Sequence, residues 1–118
     1  MALTKDRDTK RRDGVQFSHP IAAATVIFAG ALVALNAAGD AVPGSTSTTL
    51  KAVGVAQETV DNSSGAAGAV RVEVRRGLFR FGNSAAADAI TRAEIGSNAY
   101  IVDDETVAKT SGTSTRSI

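Results

Sequence analysis

The stretch AVRVEVRRGLFRF, residues 69–81, decides how this chain is read. Val70, Val72 and Val74 alternate with Arg71, Glu73 and Arg75, the period-two pattern of a strand with one buried and one wet face. Gly77 interrupts the run, and Leu78, Phe79 and Phe81 restart it with two of the chain's four phenylalanines. The pattern predicts one long bent strand, or two strands meeting at a glycine kink. Its valines, Phe79 and Phe81 are expected in the core.

Working outward, the chain has the size of one domain, 118 residues,. Its apolar content is mostly Ala and Val, with one Tyr, one Met and no Trp. Small side chains bury little area, and at about 25 cal/mol per Å² the core has a thin margin of stability. Such a domain gains by associating with copies of itself or with a larger partner. The absence of cysteine from the sequence excludes disulfides and Cys-ligated zinc,.

The formal net charge of +1 gives no general drive toward nucleic acid,. The charges are uneven, however. Lys5, Arg7, Lys10, Arg11 and Arg12 crowd the first sixteen residues together with Asp6, Asp8 and Asp13. A mixed-charge segment without apolar periodicity reads as a solvated arm that orders on a partner. The expected organisation is therefore a charged arm over 1–18 and a single β-rich domain over 19–118.

Residues 21–35, IAAATVIFAGALVAL, are the most hydrophobic segment. Two readings compete for it. A basic stretch before it and Ala-rich residues after it resemble the layout of a secretion signal. Against that, the leading region carries three aspartates, and His19-Pro20 separates charge from apolar run. Removing the segment would also strip the fold of apolar material. The favoured reading is two strands, 25–28 and 31–35, joined at Ala29-Gly30 and followed by a turn over 36–40.

Further strands are expected at 50–57, with Gly54 at a bulge or close approach, at 99–102 and at 106–108. Turns are expected at 61–65 and 103–105. Thr91-Arg92-Ala93-Glu94 has the form of a capping box, enough for barely one helical turn before Gly96. The whole reads as mainly β, a small barrel or sandwich of about six to eight short strands.

No catalytic constellation assembles from the residues. His19 is the single histidine and sits at the end of the arm, so neither a Ser–His–Asp arrangement nor a spaced-histidine metal site is expected,. The acidic turn 103–105 lacks the alternating ligands and central glycine of a calcium loop. The spans 39–44 and 65–68 lack the lysine and hydroxyl of a phosphate loop. No enzyme activity, cofactor, metal or small-molecule substrate is expected. Arg71, Arg75, Arg76 and Arg80 form the one basic cluster outside the arm. Glu73 lies between Arg71 and Arg75, which favours local pairing. A nucleic-acid surface would want stacking aromatics beside them, and Phe79 and Phe81 are assigned to the core.

Three runs carry a family resemblance: VIFAGALVALNAAGDAVPG, then KAVGVAQETVDNSSGAAGAVRVEVRRGLFRF, then IGSNAYIVDDETVAKTS. In order and spacing they resemble the small capsid cement, or head decoration, proteins of tailed bacteriophages, particularly the Mu-like phages. The resemblance spans roughly residues 25–118. It implies a β-rich subunit on the outer surface of the phage head, commonly a homotrimer, that clamps neighbouring major capsid protein subunits. It also implies residence in the virion after synthesis in the host cytoplasm, with no membrane. Members of this family are sometimes labelled RecA/RadA-type recombinases, a label that the missing phosphate loop does not support here. Family members commonly continue past the position of Ile118 with an Ala-Gly turn and a final strand, and their N-terminal arm is shorter.

On this reading the arm residues Lys5, Arg7, Lys10, Arg11 and Arg12 are the expected capsid strap. Arg71, Arg75 and Arg80 are expected at subunit contacts. The alternatives are a secreted or membrane-associated protein using 21–35 as a signal or anchor, and a small nucleic-acid-binding β-barrel.

Overall fold

The computed structural model describes residues 2–10, 14–47 and 49–109, and within them the valine alternation forms a strand shorter than its sequence suggests. In chain order the strands are β1 (Gln16–Pro20), β2 (Thr25–Ile27), β3 (Leu32–Leu35), β4 (Ala41–Pro43) and β5 (Lys51–Ala56). They continue with β6 (Val60–Asn62), β7 (Arg71–Arg75), β8 (Gly82–Asn83), β9 (Tyr100–Ile101) and β10 (Thr106–Ala108). Two 3-10 turns, Ala86–Asp88 and Arg92–Glu94, complete the regular structure among the described residues.

The strands form three sheets: β1-β7-β5-β3-β4, β8-β10-β9 and β2-β6. None closes on itself, and the fold is mainly β, with the layering of a small sandwich. Alternation assigns the layers. Val33, Ala56, Val72 and Val74 point to one face of the large sheet and are buried there with Ile27 of β2, Ile21 and Ala41. Leu32 and Val55, one position out of phase, point to the other face and are also buried. There Leu32 approaches the β9 side: a methyl placed on Gly44 would lie 3.3 Å from Leu32 Cδ2 and 3.1 Å from Ile101 Cγ2.

The expected apolar strands 25–28 and 31–35 both form, but they do not make a hairpin. β2 pairs with β6, whereas β3 pairs with β4 and β5. The core needs Ile27 above the sheet and Val33 within it, which separates the two strands into different layers. The turn after β3 is as expected. Asn36 Oδ1 accepts from the amides of Ala38 and Asp40, both at 3.0 Å, closing the β3–β4 hairpin.

Gly54 has a structural reason. The β3–β5 register slips between Val33 and Ala34, leaving Val53 unopposed as a bulge,. Gly54 sits beside it at φ +145, and a Cβ there would drive into the Arg75 backbone and reach 2.9 Å from Val74 Cγ1,. The turn after β6 is built around Asn62, the one buried polar side chain among the described residues. Its Nδ2 donates to Ala22 O and Ala66 O, both at 3.0 Å, pinning the turn to the segment before β2.

Two expectations need correction. β7 ends at Arg75 and does not continue to Phe81. Beyond it Leu78 is fully exposed, Phe79 is exposed and Phe81 half-buried, so these aromatics are not core. Phe79 and Phe81 instead wall an open hollow beside Leu32 and Val55. In addition, His19 is not at the end of a free arm: β1 runs from Gln16 to Pro20 and pairs along its length with β7. Residues 2–10 are exposed throughout.

Candidate interaction surface

The surface begins at the β1–β7 pair. Beyond the strand ends, Ile21 N–H donates to Val70 O at 3.0 Å and Arg76 N–H to Val15 O at 2.7 Å. Antiparallel alternation then directs the backbone groups of Gln16, Ser18 and Pro20 away from β7, to the open edge of the sheet. Pro20 has no N–H to lose there, which is why a strand can hold it. Arg71 crosses over β1 and donates from Nε to Ser18 Oγ at 2.9 Å and from Nη2 to Ser18 O at 3.0 Å. The expected Arg71–Glu73 pairing is therefore replaced by a cap on the sheet edge. Glu73 instead accepts from Gln16 Nε2 at 3.5 Å.

His19 lies on the β7 side of the strand, opposite Val72. Burial, and then the positive charge of Arg71, hold its imidazole below the usual histidine range,. With Phe17, Ala52, Val53 and Arg76 it lines an open hollow of about 300 Å³. Ala52, Val53 and Arg76 continue into a second hollow walled by Gly77, Phe79 and Phe81. The two phenylalanine rings pack at a tilt, with centroids 6.3 Å apart,. Of the large apolar side chains exposed on this protein, Val15, Phe17, Leu78 and Phe79 all flank the β1 and β7 ends joined by the Val15–Arg76 hydrogen bond,.

Arg76 lines both hollows and is exposed, and its neighbours in sequence Arg75 and Arg80 are exposed as well. Among the described residues the ion pairs are Lys10–Asp8 at 3.7 Å and Lys109–Glu94 at 3.8 Å, so these three arginines are in none. Arg80 follows β7 and is not part of it. Lys5, Arg7 and Lys10 lie exposed in the arm, and Arg11 and Arg12 fall outside the described residues.

A second exposed feature sits where the chain passes from β2 to β3. Phe28, 62% exposed, borders a hollow with Ala29, Gly30, Ala31, Asp104 and Glu105. The acidic turn is held by Leu32 N–H donating to Asp104 O at 2.8 Å and by Glu105 N–H donating to Asp103 Oδ1 at 2.9 Å. Further along, the Thr91 capping box forms as read. Thr91 N–H donates to Glu94 Oε2 at 2.7 Å, and the Thr91 side chain, then its backbone, hold the Glu94 carboxyl below its usual range.

Among the described residues no group of three metal-ligating side chains comes together, and no helix is long and apolar enough to cross a membrane. The sequence reading placed Arg71 and Arg75 on one wet face, as found. It missed Phe17 and Val15 as surface features, although Val15, Phe17 and His19 alternate with Gln16 and Ser18. The preceding run of charge hid that pattern inside the arm. Compared with protein-family models, with curated proteins and with solved structures, the chain matches none.

Proposed function

We propose that this chain is a capsid cement protein, a structural subunit that binds the outside of an assembled phage head and ties neighbouring major capsid protein subunits together. The structural observation that carries the reading is the apolar floor around Phe17, Val53, Phe79 and Phe81 with Arg76 beside it, in no ion pair among the described residues. A small domain with a thin core gains nothing from leaving such a surface in water, so a partner that covers it is the economical explanation. The charged exposed arm supports the same reading, because an arm gives a small subunit a second point of attachment. The resemblance across residues 25–118 names the partner as the shell, and copies of the same chain as neighbours. Binding the assembled shell and not its free subunits stabilises the shell by mass action.

The test adds purified protein to heads assembled without it. Cosedimentation and a raised head melting temperature are expected. Heads that neither retain the protein nor melt higher would overturn the proposal. Charge reversal of Lys5, Arg7 and Lys10 is expected to weaken retention if the arm is a strap.

One observation favours a second reading. Phe79 and Phe81 lie at the surface beside Arg76, which supplies the stacking aromatics that a single-strand nucleic-acid site needs,. Binding to single-stranded DNA or RNA that weakens steeply with salt would support it, and no binding at low salt would end it.

A further inference from the structure

We infer that the apolar hollow lined by Arg76 receives a second copy of this chain, which presents Phe28 and the acidic turn 103–105. The inference rests on the cement-protein reading, since it specifies how neighbouring subunits meet.

The hollow defines its occupant by chemistry. Its floor is aromatic and aliphatic, so it takes an apolar anchor. Its lining includes Arg76, exposed and in no ion pair among the described residues, so it takes carboxylates beside that anchor. This chain carries that combination itself. Phe28 stands out from the surface, with Asp104 and Glu105 bordering the same hollow. Asp103, Asp104 and Glu105 are likewise in no ion pair among the described residues.

Within one chain the two surfaces border different hollows: Phe28, Asp104 and Glu105 border one, whereas Phe17, Phe79 and Arg76 line the others. Bringing Phe28 against Phe17 therefore takes a second molecule. Aromatic anchors and arginines are the side chains that dominate such contacts, and opposite charge at the rim sets register and orientation. A closed ring and a reciprocal pair both satisfy this complementarity.

Native mass spectrometry and sedimentation of the full chain test the inference. The wild-type chain is expected to associate at low salt and to loosen as salt rises. Arg76→Glu and the double change Asp104→Lys/Glu105→Lys are each expected to weaken association by about tenfold or more. These positions are exposed or half-buried, and the melting curve of each variant checks that it folds. In an equal mixture the two variants are expected to bind each other although neither binds itself, because each reversed surface then meets its complement; native mass spectrometry reads this mixed contact. A wild-type chain that stays monomeric at all concentrations overturns the inference. So does an assembly indifferent to both variants, or a mixture in which the two variants do not bind each other. Arg76→Glu protein that self-associates normally but leaves the heads would also overturn it, assigning the hollow to the shell while the cement reading stands. Assembly that follows the charge rules in a protein that never binds heads would remove the cement reading alone.

Discussion

Asn62 and Gly54 show how single positions hold this small core together. Asn62 is buried, and among the described residues its amide is the donor to Ala22 O, while Ala66 O also accepts from Ala69 N–H. Asn62→Ala removes both side-chain bonds and leaves the Ala22 carbonyl without its donor. The expected cost is about 2 kcal/mol, seen as a melting temperature lowered by several degrees. A loss within experimental error would show that water replaces the amide at no cost. Gly54 is the complementary case, required by what is missing: no side chain fits against the Arg75 backbone. The sequence marked Gly54 as a close approach because a glycine inside a strand pattern needs a reason. It marked Asn62 only as a turn residue, since its partner Ala22 lies forty positions upstream.

Among the elements, β7 and β1 carry the lesson. The valine alternation was legible because it is local and the pleat enforces it. The end of β7 was not, because Leu78, Phe79 and Phe81 are core residues by type and no local feature says that the chain leaves the sheet after Arg75. The turns at 36–40 and 61–65, and the Thr91 box, were legible for the opposite reason: their hydrogen bonds close within a few residues. For the candidate surface, the wet arginine face could be read, but not that Arg71 reaches Ser18, because that needs β1. Open sheet edges invite pairing, and a charged side chain laid over one discourages it. Arg71→Ala is therefore expected to change stability little and to promote self-association through β1. Light scattering on incubation would reveal it. A variant as monodisperse as the parent would deny Arg71 this guarding role.

At the scale of the whole molecule, the sandwich leaves its charged groups at the surface and makes one titratable ring a partner to the fold. His19 titrates below its usual range, so the unfolded chain binds a proton more readily than the folded one,. The stability it contributes is present above the unfolded value of about 6.5 and is lost as pH falls through the folded value. The positive charge of Arg71 opposes its protonation, and Arg76 lines the same hollow. Asp61 and Glu94 also titrate below their usual ranges, held first by Ser63 and by Thr91, and their contribution is lost only at more acid pH. The melting temperature is expected to fall as pH drops below about 6.5, and His19→Gln to flatten that part of the curve alone,. An unchanged slope in the variant would place the effect elsewhere.

The arm enters the body at Val15, immediately before β1, and that has a mechanical consequence. The β1–β7 hydrogen bonds run across the strands,. Tension transmitted through the arm in line with β1 would load these bonds together, in shear, and would not open them one at a time from an end. A subunit tethered by its arm would then resist pulling most strongly along the strand axis and yield more readily to force applied across it. Single-molecule pulling from the N-terminus in the two directions would read the difference.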